Sequence, residues 1–481
     1  MMNTLTISCL ILPFISGFII FLLPRLDRYL SVITAICSGL YSLFVLVTRT
    51  QINLKLIDTF GVTLSVDEQS GYFMLTNALI TLAVICYCWS TDKSAFFYGQ
   101  LMILHASINA CFVSTDFINL YVALEVSGIA AALLIAYPRS DRSIWIALRY
   151  LFVSNVCMLL YLIGAVLAYK SALTFSFSSI NTAPPEALAL IFMGLLTKGG
   201  LFLSGLWLPL THAESEVAVS ALLSGIVVKA GLFPLLRCGL LLEQINPVIH
   251  FFGVGTAVFG VCYAIFAQDT KRLLAFSTIS QLGFILSAPQ VGGFYALTHG
   301  LVKSCLFILA GALPSRSFGE LARQPISHQL WSAILLAGFS ISGFPLLSGF
   351  GAKVLTMKNL LPWQNWVMNL VAVGTAIAFA KFVFLPHHSV PQKLPLGFWV
   401  AVGILLGGLL VANVAYLEAY NLENMLKAIA IVFAGWSIYY LIFSQFSLNL
   451  PRKLESFEHL MGMMILVAIV LFWVAVNDYG F

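Results

Sequence analysis

The sequence predicts an all-α integral membrane protein of about 14–16 transmembrane helices, and three observations carry that expectation. Of 481 residues, 60% are hydrophobic and only 9% are charged, against roughly 25% charged in ordinary soluble domains. Apolar runs of about 17–25 residues, each long enough to cross the hydrocarbon core as a helix, recur along the whole chain. Two of these runs are interrupted by glycine and proline beside a lysine, a pattern that points to a transport site. Such a chain cannot hide its apolar surface in a soluble core, which excludes a soluble enzyme. The net charge of +5 is spread thinly and forms no basic run, which argues against nucleic acid as a partner.

Sixteen candidate spans run over approximately 4–23, 29–48, 69–90, 96–114, 116–137, 144–169, 187–209, 216–237, 247–267, 272–288, 292–313, 330–358, 365–386, 396–416, 424–445 and 459–477. The first lacks a basic flank and a small-residue cleavage site, so it is read as a span rather than a signal peptide. Only the connection near 49–68 has room for a short strand or hairpin, and no soluble domain is expected. The nine cysteines sit in or beside apolar segments without CxxC or Cys/His spacing and read as small buried hydrophobes. No metal site or cofactor is expected. Iron–sulfur, haem and flavin ligation patterns are lacking, and the Gly253-x-Gly255 pair has no strand–turn–helix context for a nucleotide.

Basic residues in the short loops set the orientation. One set of alternate loops holds Arg25, Arg28, Lys93, Arg139, Arg142, Lys271, Arg272, Arg316, Arg323, Lys393, Arg452 and Lys453. The other holds Arg49, Lys55, Lys170, Arg237, Lys358 and Lys427. The richer set belongs in the cytoplasm, with both termini outside. The absence of a mitochondrial-type presequence points to a bacterial source, in a plasma or internal energy-transducing membrane.

The two interrupted spans organise the chain. Gly194 to Pro209 carries four glycines around Lys198, and Gly338 to Lys353 carries Gly343, Pro345, Gly349 and Gly351. Broken helices in corresponding positions of two halves mark a site built from inverted repeats. Lys198 and Lys353 lie 155 residues apart, so spans four to eight form one five-helix unit and spans nine to thirteen the other. An odd number of helices per unit forces opposite topology. The expected division is an N-terminal three-helix segment (1–95), a first repeat (96–238), a second, inverted repeat (247–386) and C-terminal helices (394–481).

Charges inside the spans carry the chemistry. A charged side chain at mid-bilayer costs about 2.5–3.5 kcal/mol on insertion scales and is a functional site by default. Glu125 lies nine residues beyond Asp116, roughly 13 Å deep at about 1.5 Å per residue. It is the natural partner for Lys198, with a simple helix-gluing ion pair as the structural alternative. Bringing a carboxylate closer to a buried lysine, or taking it away, would load or release a proton. Lys229 can pass a proton onward through water, or serve only as a partner for a backbone carbonyl. His299 and Lys303, four residues apart, share one helical face, and a histidine makes a good intermediate relay station. Lys353, at the second break, would be the exit-side site.

Other polar residues read more simply. Lys381 lies five residues before Pro386 and either snorkels or takes part. His105 sits alone in an apolar span and reads as structural. His212 borders the first broken helix at the cytoplasmic face, where it lines an access path or caps the loop. Asp269, Lys271 and Arg272 form a charged turn that anchors topology.

These residues lie in a familiar pattern. Lys198 is followed by Trp207-Leu-Pro-x-x-His-Ala213, Val219-Ser-Ala-Leu222 and Lys229-Ala-Gly-Leu-Phe-x-x-x-Arg237. Then come Asp269-x-Lys-Arg-Leu-Leu-Ala-Phe-Ser-x-Ile-Ser-Gln-Leu-Gly283, His299-x-x-x-Lys303-x-x-Leu-Phe307 and Gly343-Phe-Pro-Leu-Leu-Ser-Gly-Phe-x-x-Lys353. Over roughly residues 60–390 the chain resembles the antiporter-like subunits shared by respiratory complex I, related membrane hydrogenases and Mrp-type multisubunit sodium/proton antiporters. Among these it most resembles the shorter Mrp D-like members.

The resemblance implies two inverted five-helix repeats with a hydrated axis, and a proton-transfer role for Glu125, Lys198, Lys229 and Lys353. It also implies partner membrane subunits, with protons and Na+ as transported ions. The chain departs from the family after Pro209, where Ala213-Glu-Ser-Glu216 replaces the usual alanine–proline, and in its two additional C-terminal spans.

Three functions follow as expectations. The first is a proton-translocating subunit of a Mrp-type cation/proton antiporter, with Glu125, Lys198, Lys229, His299, Lys303 and Lys353 as the relay. The second is the corresponding subunit of a complex I-like oxidoreductase, a translocase component with no redox centre of its own. The third is a non-transporting membrane scaffold.

Overall fold

The computed structural model describes residues 2–56, 62–242, 245–388, 392–444 and 455–478, with side chains as far as Val474. Arg452 and Lys453 of the orientation argument lie outside the described residues. The chain opens with α1 (Met2–Leu22) and α2 (Asp27–Thr48). A hairpin of β1 (Ile52–Lys55) and β2 (Thr63–Val66) follows, antiparallel with Ile52 opposite Val66, in the one connection expected to have room for it. Next come α3 (Glu68–Cys88), α4 (Ala95–Val113), α5 (Phe117–Ile135) and α6 (Asp141–Ala172).

The first broken span is α7 (Pro185–Lys198), a 3-10 turn over Phe202–Leu206, and α8 (Trp207–Glu214). The span after it is α9 (Val217–Leu222), a π-helical turn over Leu223–Val227, and α10 (Val228–Leu241). The second half holds α11 (Asn246–Phe266), α12 (Thr270–Ser287), α13 (Gly292–Gly311) and the short α14 (Phe318–Leu321). Its broken span is α15 (His328–Ser342) and α16 (Ser348–Lys358), followed by α17 (Pro362–Val383). The two-residue strands β3 (Ile326–Ser327) and β4 (His387–His388) pair in parallel around this unit. The chain ends with α18 (Leu396–Ala412), α19 (Leu422–Ile438) and α20 (Phe457–Asp478).

Among the described residues, fourteen helical segments are long and apolar enough to cross a membrane. The polar α12 and the divided α15–α16 pair fall at the remaining two of the sixteen predicted spans. Side-chain oxygens start several helices by taking otherwise unpaired backbone donors. Asp67 and Ser70 form a reciprocal capping box on α3, Asp116 accepts from Asn119 N at 2.6 Å, and Asp269 accepts from Arg272 N at 2.9 Å. Asp116 also accepts from Thr63 N at 3.0 Å, which ties the hairpin to α5.

At both breaks the chain turns through a left-handed glycine, Gly200 (φ 68°) and Gly343 (φ 81°), a conformation other residues rarely adopt. The backbone groups released there find side-chain partners. Trp207 Nε1 donates to Thr197 O at 2.8 Å, Thr256 Oγ1 accepts from Phe202 N at 3.0 Å, and Lys353 Nζ donates to Ser342 O at 3.1 Å. Irregular backbone at membrane depth persists only when satisfied in this way.

The 217–241 and 289–311 segments have their most apolar stretches fully buried, whereas α19 is only 11% buried. Lys229, His299 and Lys303 therefore lie on the two most enclosed spans. In packing, α4 contacts α5 and α10, while α11 contacts α12 and α17; α6 lies on α7, while α13 lies on α15 and α16. The final helix crosses back and packs on α7.

The two sets of basic loop residues engage different networks. Lys93 pairs with Glu216 at 2.6 Å, Arg142 with Glu214 at 3.4 Å and Arg316 with Asp269 at 3.0 Å. Lys271 Nζ donates to Ser215 O at 2.7 Å. From the other set, Arg237 makes a two-pronged pair with Asp67 at 2.5 and 3.0 Å.

Glu455, 8% exposed, straps α20 to both halves: its carboxylate pairs with Arg272 and its carbonyl accepts from Arg149 Nη2. Breaking one partner of an enclosed ion pair leaves the other charge poorly compensated. Glu455→Ala is therefore expected to speed amide exchange over residues 457–474 and lower Tm by a few degrees. Exchange in α19 serves as the internal control and stays unchanged.

Candidate functional site

Lys198 ends α7 at the first break and is 4% exposed. Its amine donates to Ser154 Oγ of α6 at 2.6 Å. A Cβ built on Gly128 of α5 would lie 2.7 Å from that amine, so the absent side chain is what lets α5 approach. Glu125 stands three residues before Gly128, on the same face of α5. Its Oε1 is buried without a hydrogen-bond partner, and it interacts with Lys198 electrostatically. The direct pairing expected from the sequence is not formed: among the described residues the ion pairs within 4 Å are five others. The reason is axial. Lys198 reaches α5 at the level of Gly128, one turn past the carboxylate.

Lys229 is completely buried, and its amine donates to Gly225 O and, at 3.5 Å, to Ser224 O. Both carbonyls belong to the π-turn, whose wider winding shifts hydrogen-bond partners by one residue. From Ser224 a chain of hydrogen bonds continues. Ser224 Oγ and Thr278 Oγ1 are 2.6 Å apart, and Thr278 Oγ1 donates to Leu274 O at 2.9 Å. Lys303 Nζ donates to the same carbonyl at 3.0 Å. Lys229 thus rests on the backbone carbonyl of Ser224 and Lys303 on that of Leu274, with the Ser224 and Thr278 hydroxyls lying between these two carbonyls. The Lys303 amine also stands 5.3 Å from the centre of the Phe379 ring, within cation–π range.

His299, one turn before Lys303 on α13, has no hydrogen-bond partner on either ring nitrogen. It faces a small cavity with Gln281, Tyr295, Ser340 and Gly349, and Ser340 Oγ is likewise unpartnered. The cavity volume of about 10 Å³ is close to that occupied by one water. Two orphaned polar side chains around a water-sized space are the arrangement a bridging water satisfies. Ser340 lies two residues before Ser342, whose carbonyl holds Lys353. The Lys353 amine is 5.5 Å from the Phe284 ring centre.

Five of the six predicted residues are buried and Glu125 is half-buried, and they fall in three groups: Glu125 with Lys198, Lys229 with Lys303, and His299 towards Lys353. The intervening hydroxyls were not singled out from the sequence. Ser224 is five residues before Lys229, a spacing that only π winding brings to one face. Ser154 and Thr278 are hydroxyls within helices, where such groups most often bond to their own backbone. His212 is more enclosed than its loop-border position suggests. It is fully buried with both ring nitrogens unpartnered, between the rings of Trp207 and Phe307.

The two acids that depart from the family pattern are held by surface cations, Glu214 by Arg142 and Glu216 by Lys93. His105 is satisfied by Thr81 at 3.1 Å and Asn109 at 3.3 Å. Lys381 donates to Ala267 O at 2.8 Å, away from the thread between Lys229 and Lys303.

Comparison with known proteins identifies the context of this interior. The model of the family described as "NADH:quinone oxidoreductase/Mrp antiporter, TM" matches residues 114–378, which include all six residues. The chain is similar to the D-type component of the Na(+)/H(+) antiporter of Alkalihalophilus pseudofirmus, 25% identical over 78% of this chain and 84% of that protein. It is also similar to the N-type component of the NADH-quinone oxidoreductase of Desulforudis audaxviator, 28% identical over 68% of this chain and 72% of that protein. In fold it matches a chain of the Mrp complex from Dietzia sp. with a TM-score of 0.75, at 18% identity and covering 95% of this chain and 99% of that one. The protein is an integral membrane member of the NADH:quinone oxidoreductase/Mrp antiporter transmembrane family.

Proposed function

We propose that this chain is the proton-translocating membrane subunit of a multisubunit Mrp-type cation/proton antiporter. The observation that carries the reading is the set of buried amines held by neutral oxygens rather than carboxylates. An ammonium bound to a carbonyl or hydroxyl can lose its proton without stranding a buried negative charge. Each such amine is a station that can be occupied or vacated. The Ser224–Thr278 hydroxyl pair lies between two stations and offers exchangeable protons there, and the water-sized space beside His299 leads on towards Lys353.

Glu125 is the control element. Glu125 stands one helical turn from Gly128, where the Lys198 amine meets α5, so a small shift of α5 against α7 would form or break a direct pair. An adjacent carboxylate favours the charged lysine, and its withdrawal favours proton release. The adjacent break supplies a hinge for such a shift. In this reading the relay runs from Glu125 and Lys198 through Lys229, Lys303 and His299 to Lys353, where protons leave on the outer side. The packing of α4 and α11 on equivalent partners supports repeats over 96–238 and 247–386, preceded by 1–95 and followed by 394–481. The protein has no energy source of its own, so partner membrane subunits supply an opposing cation gradient.

A second reading rests on the likeness to the N-type component of NADH-quinone oxidoreductase: the same relay driven by a redox complex. Mild purification followed by identification of the co-purifying subunits separates the two. Small antiporter subunits favour the first, and redox subunits the second.

In membrane vesicles containing the intact complex, Lys198→Gln and Lys229→Gln are each expected to abolish proton flux while the complex still assembles. Wild-type flux in both variants would sink the relay. Thr278→Val removes one bridging hydroxyl at nearly constant volume and is expected to slow flux about 5- to 10-fold, the rate equivalent of one hydrogen bond of about 1 kcal/mol. An unchanged rate would show that protons bypass α12.

A further inference from the structure

Lys353 borders a cavity of about 170 Å³ between α16, α17 and α19. Its wall includes Lys358, Lys427, Asn365, Asn369 and Asn424. Lys358 and Lys427 are exposed, at the ends of α16 and α19 that meet at one surface, whereas Lys353 is 7% exposed. At about 1.5 Å per residue, Lys353 lies roughly 7 Å below Lys358 along α16. The cavity thus runs from a surface bearing two lysines down to a buried third.

Among the described residues, no carboxylate lines it. The nearest acids in sequence on these connections, Glu418 and Glu423, are exposed and outside the wall. Three ammonium groups around a recess repel a bare cation and concentrate anions. Their donors are mostly uncommitted. Lys353 gives one hydrogen bond to Ser342 O and Lys358 one to Tyr416 Oη, out of three available to each.

One further group narrows the ligand. Asn369 Oδ1 is buried and has no partner, while its amide nitrogen is used by Asn365. A simple halide would leave that acceptor empty. A ligand that presents several anionic oxygens together with a hydroxyl satisfies both the lysines and Asn369.

We infer that this cavity is a binding site for a phosphate-class anion, either the headgroup of an anionic phospholipid such as phosphatidylglycerol or free hydrogen phosphate. The bound oxygens sit between Lys353, Lys358 and Lys427, and the hydroxyl donates to Asn369 Oδ1. The consequence for transport rests on the relay reading: an anion here is a removable counter-charge for the last amine and so regulates proton exchange at the outer face. Binding itself does not depend on that reading, and it is what the experiment measures.

The full chain is placed in nanodiscs of zwitterionic phosphatidylcholine and titrated with inorganic phosphate. In parallel, nanodiscs containing phosphatidylglycerol are analysed by native mass spectrometry for retained lipid. One bound anion per chain is expected from one of the two sources, which names the source. Lys427→Gln is expected to weaken it ~5-fold, and the Lys358→Gln/Lys427→Gln double variant more than either alone. Lys170→Gln removes an exposed charge of the same loop set elsewhere and is expected to leave binding unchanged. The inference is overturned if neither probe binds, or if Lys170→Gln weakens binding as much as Lys427→Gln.

Discussion

Placing an amine inside a low-dielectric protein requires an oxygen for it to bond, and where that oxygen comes from shapes this structure. Lys229 takes carbonyls of a π-turn, Lys303 a carbonyl of α12, Lys353 the carbonyl released at a break, and Lys381 the carbonyl at the end of α11. Lys198 takes a serine hydroxyl. All of these partners are neutral. For Lys229, Lys353 and Lys381 the irregular backbone and the buried lysine are one feature: an interrupted or ending helix yields carbonyls free for a side-chain donor, and these lysines use them.

That arrangement bears on transport because of the charge left behind. A lysine paired with a buried carboxylate is held by mutual attraction, and removing its proton leaves an uncompensated negative charge. A lysine on a carbonyl leaves only a neutral amine. Among the described residues, the interior reserves its unpaired carboxylate, Glu125, for one station, and sets it a helical turn from Gly128, where the Lys198 amine meets α5. The acids that are firmly paired, Glu214, Glu216, Asp269, Asp67 and Glu455, lie at the ends of helices. There they fix the loops and the final helix, apart from the charges of the proposed relay.

The C-terminal helices act on the periphery. The last helix returns from the second half to lie on α7, and Glu455 ties it to Arg149 of α6 and Arg272 of α12. The helix before it closes the cavity outside Lys353. These two spans thus touch the ends of the proposed relay without entering its axis.

Much of this was legible in the sequence. Composition and run length determined the class and the positions of sixteen spans, because each apolar helix must match the bilayer thickness. Glycine and proline marked both breaks, because glycine permits a left-handed turn and proline lacks the backbone donor that a continuing helix needs. The six interior titratable residues stood out because charge is rare and costly in such segments. Tertiary structure decided what each of them touches. Lys198 met Ser154 rather than Glu125 because axial level, not sequence distance, sets the contact. Ser224 joined the thread only through a π-turn that hydropathy cannot show, and Thr278 only because α12 packs beside it. Hydrogen-bond partners come from helices far apart in the chain, and periodicity along one helix carries no information about the rotation and height of its neighbours.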